Sequence, residues 1–229
     1  MTPESIVKKI RKDGYVIIPN YWSPEKCELV KEQIDHSITR FSDRVWSDHI
    51  KADQRIFGFN RISKEATQLL KDPQINKTFD LLTNSQNRVS FVMAGRLSHK
   101  HKNLGSGQGW HRDCSRSEQY KAILYISNVT KDNGPFQYIK KSNTKLHRLK
   151  MKLLYDFNWY QDRFSTHREE NALKSQKSEI FKAEPGTLIL ANTSGIHRGM
   201  PIQNGSRYAL TIYMWQSGLI PDHIKSLMI

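Results

Sequence analysis

Hydrophobic and polar positions follow a helical period near the N-terminus and a strand-like period in much of the chain beyond it. The first pattern predicts an amphipathic helix from about Pro3 to Lys12 and another from Pro24 to about Thr39, with Ser23 as the N-cap of the second. The apolar segment Tyr15 to Ile18 lies between them and predicts a short strand. Helices therefore precede the part of the chain in which strands dominate.

A series of short segments rich in β-branched and aromatic residues predicts these later strands. Turn residues such as Pro185-Gly186 separate them, which indicates a mostly β domain with flanking helices. The predicted strands cover residues 88–98, 119–127, 135–140, 179–183, 187–191 and 207–215.

The length of 229 residues is sufficient for one sizeable core, and the chain contains no repeat and no low-complexity linker. We therefore expect residues 1–229 to form a single domain. Cys27 and Cys114 do not make a disulfide framework, which favours a reducing compartment. No apolar run approaches the roughly 18 residues of a membrane span, and the first residues lack a signal-peptide core. The sequence thus predicts a cytoplasmic protein, soluble or attached peripherally to the inner face of a membrane.

Basic residues outnumber acidic ones by 36 to 22, and the formal net charge is +14. This balance predicts a polyanionic partner: nucleic acid, an anionic membrane or a phosphorylated substrate. The segment from Lys140 to Lys152 contains six Lys or Arg residues and no acid, and apolar residues recur in and after it at helical spacing. These apolar residues are Leu146, Leu149, Leu153, Phe157, Tyr160 and Phe164.

The pattern predicts a basic amphipathic insertion at about 140–175, formed by a helix with an aromatic-rich end. One interpretation places this insertion on an anionic membrane, where each basic residue contributes about 1 kcal/mol near the surface. The other packs its apolar face on the β domain and leaves the lysines in solvent. Amphipathicity alone does not distinguish the two.

His111 and Asp113 are separated by one residue, which on a strand directs both side chains to one face and Arg112 to the other. His197 is predicted in a loop that starts near Asn192. Two imidazole nitrogens and one carboxylate on one face of an octahedral metal leave positions open, as non-haem Fe(II) requires to hold a cosubstrate and O2. A structural zinc site would instead be closed. The sequence therefore predicts an open iron site.

Arg207 begins the last predicted strand and shares a face with Ala209, Thr211 and Tyr213. A guanidinium there can bind a carboxylate through two parallel hydrogen bonds. An anion clamp is thus predicted beside the iron site.

In their order along the chain, these residues resemble the phytanoyl-CoA dioxygenase family of Fe(II)- and 2-oxoglutarate-dependent oxygenases. The segment Lys140-Lys141-Ser142-Asn143 departs from the usual Pro-Gly-Ser-His but leaves the predicted iron ligands unchanged. The matching segments are Asp13-Gly14-Tyr15, Trp110-His111-Arg112-Asp113, Asp132-Asn133-Gly134-Pro135, Pro185-Gly186, His197-Arg198-Gly199 and Arg207.

The resemblance implies a double-stranded β-helix, or jelly-roll barrel, in which His111, Asp113 and His197 bind Fe(II). It also implies that Arg207 pairs with the distal carboxylate of the cosubstrate 2-oxoglutarate, which reacts with O2. Family halogenases replace the carboxylate with a small residue, so the presence of Asp113 implies oxygenation, usually hydroxylation.

Lys121 and Tyr125 share one side of a predicted strand and are candidates for a further hydrogen bond to the cosubstrate. Their alternative roles are packing or exposure to solvent. Trp110 is predicted to form a wall of the site.

Three functional hypotheses follow from these patterns. The first is a peripheral membrane oxygenase that hydroxylates an anionic, lipid-linked substrate, with the lipopolysaccharide Kdo 3-hydroxylases as the best fit we can suggest. The second is a hydroxylase of a small soluble metabolite or an acyl thioester. The third is a nucleic-acid-binding protein or base demethylase, which is disfavoured because the sequence has no recognised nucleic-acid motif. The sequence leaves the oligomeric state open.

Overall fold

The computed structural model describes residues 1–84, 88–215 and 219–229, which form two antiparallel sheets with helices packed outside them. The helices are Pro3–Asp13 (α1), Pro24–Arg40 (α2), Lys64–Leu70 (α3), Pro73–Thr83 (α4), Lys145–Tyr155 (α5), His167–Lys174 (α6) and Asp222–Lys225 (α7), with a 3-10 turn at Phe59–Arg61. The strands are Tyr15–Ile18 (β1), Trp46–Ser47 (β2), Asp53–Phe57 (β3), Val89–Ser98 (β4), Trp110–His111 (β5), Tyr120–Tyr125 (β6), Phe136–Ile139 (β7), Arg163–Phe164 (β8), Ser178–Ile180 (β9), Leu188–Asn192 (β10), His197–Gly199 (β11) and Ser206–Trp215 (β12).

The larger sheet has the strand order β1-β10-β6-β12-β4-β3-β2, and the smaller sheet has the order β8-β5-β11-β7-β9. Strand β12 pairs along its length with β4 and also with β6, so the larger sheet is built around it. The arrangement is the jelly roll that the sequence predicts. This prediction of fold class is confirmed.

Most of the hydrophobic core lies between the larger sheet and helices α1 to α4. Full burial of an aliphatic side chain contributes about 1.5–3 kcal/mol, so this layer fixes the sheet that carries Arg207 and Lys121. A smaller cluster between the two sheets includes Tyr125, Phe136 and Tyr138. The strands that carry Arg207 and Lys121 are therefore packed on both faces, by the helices on one side and by the smaller cluster on the other.

The predicted helix starts and the short strand between them are confirmed. Ser23 caps α2, and its hydroxyl accepts the amide hydrogen of Lys26. Gly14 ends α1 with φ 94° and turns the chain directly into β1. A Cβ at Gly14 would overlap the ring of Tyr138, so both the backbone angle and the space require glycine.

The predicted strands agree with the structure except at their ends, where 179–183 shortens to Ser178–Ile180. Strands β2, β3, β8 and β11 were not predicted, and β5 is shorter than the strand expected to include both His111 and Asp113. Most of them have two or three residues, too few to carry a recognisable alternation.

The insertion differs from the single long helix that its periodicity predicts. Helix α5 ends at Tyr155 because Asp156 adopts a left-handed conformation with φ 57°. Phe157 and Phe164 lie beyond this break and are buried in a satellite core. The prediction that the helix continues into the aromatic segment is therefore wrong.

The leucines of α5 do not pack on the barrel. Leu146, Leu149 and Leu153 are 78%, 46% and 75% exposed, whereas Met151 on the opposite side of the helix is buried. Among the described residues, no helix combines the length and the apolar character that a membrane span requires.

Candidate metal centre

His111 and His197 occupy directly opposed positions of the neighbouring strands β5 and β11, and their ring centroids lie 4.3 Å apart. Asp113 completes the cluster: its Oδ1 lies 3.7 Å from His111 Nε2, and its Oδ2 lies 3.7 Å from His197 Nε2. The three ligand atoms lie within 4.8 Å of one another. Distances of this size leave room for one ion between them.

The predicted residues converge, although by a different route from the predicted one. Strand β5 ends at His111, so Asp113 does not share its strand; instead its amide donates a 2.9 Å hydrogen bond to the carbonyl of Thr193. His197 was expected in a loop but begins β11. The side chain of Arg112 turns to the carbonyls of Ser142 and Ser194.

The hydrogen bonds of the two imidazoles leave Nε2 of each ring available to bind a metal ion. The Nδ1 atoms of His111 and His197 each lie 2.9 Å from a carbonyl oxygen, that of Gly109 and that of Gly195, respectively. Because a carbonyl only accepts, Nδ1 must donate, which leaves the lone pair on Nε2. Burial lowers the pKa of His111 well below its usual value and that of His197 to about 4. Both rings are therefore neutral at pH 7, the form that binds a metal.

Asp113 is ionised although it is buried. Burial alone would raise its pKa, but the ammonium of Lys121, 2.6 Å from Oδ2, and the two imidazoles hold the pKa well below its usual value. Burial would likewise lower the pKa of Lys121, but attraction to Asp113 raises it. The cluster thus has two neutral nitrogen ligands and one anionic oxygen ligand, which fits Fe(II).

Gly107 lies against the first of these ligands. Its φ is +85°, and a Cβ added there would overlap the ring of His111. Glycine at this position therefore allows the imidazole to lie close to the 105–109 turn.

A cavity of about 290 Å3 opens beside the cluster, and Arg207, Lys121 and Tyr125 all line it. Arg207 is buried, which lowers its pKa, and its Nη1 donates to the carbonyl of Gly134. In the chain segments that the structure covers, no carboxylate lies within ion-pair distance of Arg207, so its remaining donors are available to an anion.

Tyr125 mainly braces the cavity wall. Its hydroxyl donates to the carbonyl of Phe181 at 3.1 Å and accepts the amide hydrogen of Phe136 at 2.9 Å. Lys121 is engaged with Asp113, and its Nζ also lies 4.2 Å from the ring centroid of Tyr213. Lys121 and Tyr125, the two candidates for a hydrogen bond to the cosubstrate, therefore both line the cavity and both already contact other groups of the protein.

Two arginines that the sequence did not single out also line the cavity. Arg55 binds Asp53 through a 2.5 Å contact and lies over the ring of Trp46. Arg163 pairs in register with His111, because β8 of the insertion extends the smaller sheet, and its guanidinium donates to the carbonyl of Gly107. A strand of two residues leaves no sequence signal for this pairing.

Fold and site together define an Fe(II)- and 2-oxoglutarate-dependent oxygenase. Residues 10–208 match the family model described as phytanoyl-CoA dioxygenase (PhyH). The chain belongs to this family, and the predicted enzyme class and its iron and 2-oxoglutarate requirement are confirmed.

Solved structures share the fold at low sequence identity. The epimerase SnoN, in complex with Fe3+, alpha ketoglutarate and nogalamycin RO, aligns with a TM-score of 0.69 and 14% identity over 98% of this chain and 88% of SnoN. HygX from Streptomyces hygroscopicus, with nickel, 2-oxoglutarate and hygromycin B bound, has a TM-score of 0.64 and 13% identity over 92% and 86%. EctD from S. alaskensis with bound Fe has a TM-score of 0.66 and 15% identity over 93% and 77%. Comparison with curated protein sequences found no match.

Proposed function

We propose that His111, Asp113 and His197 hold the iron and that the enzyme hydroxylates an anionic substrate. The observation that carries the first part is the convergence of the three ligand atoms within 4.8 Å of one another, at the wall of a cavity that also contains Arg207. Bound iron supplies the oxidative chemistry that couples decarboxylation of 2-oxoglutarate to substrate oxidation. The protein supplies binding, orientation and exclusion of water.

Arg207 is the proposed partner of the distal carboxylate of 2-oxoglutarate. It is a buried cation without a described acidic partner, and a buried charge is stable only when it is paired. Lys121 is proposed to attract the same cosubstrate by charge, while Tyr125 holds the wall against which it packs.

The reaction proposed is hydroxylation. Iron held by these residues would be able to bind 2-oxoglutarate and O2, and a carboxylate among the protein ligands favours hydroxylation. Asp113 provides this carboxylate. One oxygen atom of O2 enters a C–H bond of the substrate, and the other enters 2-oxoglutarate, which loses CO2 and becomes succinate.

The proposal of an anionic substrate is supported by Arg163. Its side chain is exposed at the cavity wall, and none of the described acids forms an ion pair with it. Because β8 pairs with β5, this cation lies beside the iron-binding His111. We expect the substrate anion to contact it.

Helix α5 supports a lipid-linked substrate at a membrane surface. Leu146 and Leu153 are exposed on a helix that also presents Lys145, Lys150 and Lys152. Leucines inserted among lipid chains and lysines near anionic headgroups would both be stabilised.

Turnover tests the substrate. Kdo-lipid A, incubated with Fe(II) and 2-oxoglutarate, should yield a product heavier by one oxygen atom together with succinate. His111→Ala is the blank, and Arg163→Gln should raise KM for the lipid about tenfold through loss of one charged hydrogen bond. A rate of succinate formation that does not change when lipid is added would contradict the proposal of a lipid substrate. Turnover by wild type equal to that of His111→Ala would contradict the proposed iron site.

Flotation with vesicles tests membrane contact. Leu146→Ser/Leu153→Ser should reduce binding to phosphatidylglycerol vesicles, whereas the matched pair Leu29→Ser/Ile62→Ser, on other exposed surfaces, should not. Equal binding by both pairs contradicts a role for α5.

A second candidate is a hydroxylase of a soluble small molecule. It is favoured by the fold neighbours SnoN and HygX, which were solved with nogalamycin RO and hygromycin B bound. In this case the protein would turn over a soluble substrate and would not float with anionic vesicles.

A further inference from the structure

A second cavity, of about 560 Å3, lies on the other side of the segment that follows Asp113. Its walls come from the end of α1, residues 115–118, the start of α5 and the turn after α5. We call it the basic cleft. Its principal side chains are Arg11, Arg116, Lys145, Arg148, Trp159 and Tyr160.

The basic cleft is separate from the iron cavity, and the two share no lining residue. The buried side chain of Arg112 lies close to both and is bound to the carbonyls of Ser142 and Ser194 at 2.8 Å. A ligand of the basic cleft would therefore not contact the iron or 2-oxoglutarate.

Positive charge exceeds negative charge in the basic cleft. None of its four cations forms an ion pair with a described acid. Its wall also contains the carboxylate of Glu118, which accepts from two uncharged groups of the same wall, the hydroxyl of Tyr120 at 2.8 Å and Nδ2 of Asn192 at 3.2 Å. Like charges gathered in a concave surface repel one another and attract an anion.

Two of the cations, Arg148 and Arg116, are also held in place. Nη1 of Arg148 donates to the carbonyls of Ser115 at 2.5 Å and Trp159 at 3.3 Å, which fixes its guanidinium at the wall. The guanidinium of Arg116 lies 5.0 Å from the ring centroid of Tyr160. Ordering before binding reduces the entropy that a ligand must overcome.

The wall has further bonding capacity for a ligand. Oδ1 of Asn143 is buried and has no hydrogen-bond partner among the described residues. A hydroxyl on the ligand would satisfy it. The rings of Trp159 and Tyr160 offer flat apolar surface beside the cations.

We propose that the basic cleft is a second binding site, for the phosphate group of an organic phosphate. Guanidinium groups bind phosphate oxygens through paired hydrogen bonds, and a cavity of this volume accommodates more than the phosphate alone. The site is independent of the proposed substrate of the iron centre. Its phosphate can belong to a soluble metabolite or to a lipid headgroup.

Calorimetry with inorganic pyrophosphate tests the site on the full chain, with saturating 2-oxoglutarate to occupy the iron cavity. Arg116→Gln/Lys145→Gln should weaken binding about tenfold or more, since it removes two charged hydrogen-bond donors. The control Lys150→Gln/Lys152→Gln also removes two positive charges, but from positions on α5 that lie outside the cleft. It should bind pyrophosphate as wild type does. Absence of binding by wild type, or equal weakening in both double variants, would overturn the proposal.

Vesicles distinguish the two sources of phosphate. If the headgroup is the ligand, the cleft variant loses clearly more flotation with phosphatidic acid vesicles than the control, in which only the general attraction of α5 to anionic lipid is reduced. If a soluble phosphate is the ligand, the cleft variant floats no worse than the control, while pyrophosphate binding still differs. Ser117→Glu provides a second variant if the double variant does not fold. Ser117 is exposed in the wall of the cleft, so the substitution adds a negative charge there and should weaken pyrophosphate binding. Turnover of 2-oxoglutarate is a separate measurement, so failure of the iron-site proposal is distinguishable from failure here.

Discussion

Lys121 Nζ lies 2.6 Å from Asp113 Oδ2, the same oxygen that lies 3.7 Å from His197 Nε2. A buried ammonium therefore neutralises the carboxylate that is proposed to bind iron. Removing one partner of a buried pair typically costs about 3–5 kcal/mol, because the other charge remains unpaired. This relationship makes the stability of the metal-free protein depend on Lys121.

We expect Lys121→Met to lower the free energy of unfolding of the metal-free protein by about 3 kcal/mol. Added Fe(II) should restore much of the loss, because the cation then pairs with Asp113. Urea unfolding under anaerobic conditions, with and without Fe(II), measures both effects. Lys140→Met, which removes a more exposed pair with Asp13, is the control and should cost less than about 1 kcal/mol without dependence on metal. Equal destabilisation of the Lys121 variant in both conditions would count against the pairing.

Gly107 and Gly109 form a matched pair for testing the iron site. Both have left-handed φ angles, +85° and +89°, but an added Cβ overlaps the ring of His111 only at Gly107 and meets nothing within 4 Å at Gly109. Alanine at either position should cost about 1 kcal/mol of backbone strain. We expect Gly107→Ala to weaken Fe(II) binding by about tenfold or more relative to Gly109→Ala, since the added Cβ displaces the His111 ring only at Gly107, and loss of a contact that orients a ligand changes metal affinity by roughly 10–100-fold. Similar iron affinities in the two variants would contradict the packing argument.

Arg207 should determine the affinity for 2-oxoglutarate. Loss of a charged, bidentate contact costs about 1.5–3 kcal/mol per hydrogen bond to a charged group. We therefore expect Arg207→Met to raise KM for 2-oxoglutarate by about 10–100-fold, and Arg207→Lys, which keeps the charge, to raise it less. Initial rates at varied 2-oxoglutarate give both values. An unchanged KM in the methionine variant would remove Arg207 from the cosubstrate site.

His147 should make the fold less stable in acid. Both of its ring nitrogens are buried and have no hydrogen-bond partner in the part of the chain that the structure describes, and burial, together with Arg112 and Lys150, lowers its pKa to about 4. The unfolded chain, with a His pKa near 6.5, therefore takes up the proton first as the pH falls. Stability is lost progressively from about pH 6.5 towards pH 4, by about 1 kcal/mol between pH 7 and 5.5.

The contribution of His147 is measured by difference. The other buried histidines are present in both proteins, so their contributions to the pH dependence of the free energy of unfolding cancel when wild type is compared with His147→Leu. Urea unfolding at several pH values should show a shallower loss of stability in the variant. Parallel profiles for the two proteins would show that His147 does not titrate as proposed.

Sequence pattern predicted the parts of this fold that have a long period or a family signature. Helices α1 and α2, the long strands and the convergence of His111, Asp113 and His197 all belong to this group. The register of two-residue strands such as β5 and β8 was not predictable, because pairing at this length is decided by tertiary contacts. The break after Tyr155 was missed for a related reason: the periodic spacing continues through Asp156, while its left-handed backbone is set locally.

The route to the metal cluster was also beyond the sequence. The spacing of His111 and Asp113 suggested one continuous strand, but the second residue is positioned by a hydrogen bond to Thr193, a residue from a distant part of the chain. The cations Arg55 and Arg163 carry no local motif that relates them to iron. Their role depends on which strands become neighbours.

The pairing of β8 with β5 has a consequence for engineering. The insertion places Arg163 beside His111 at the cavity wall, whereas the three proposed iron ligands come from outside the insertion. Randomising Asp162 and Arg163, the residues of this segment that line the iron cavity, would diversify its rim without altering the proposed ligands. Selection from such a library would recover altered substrate preference at constant reaction type.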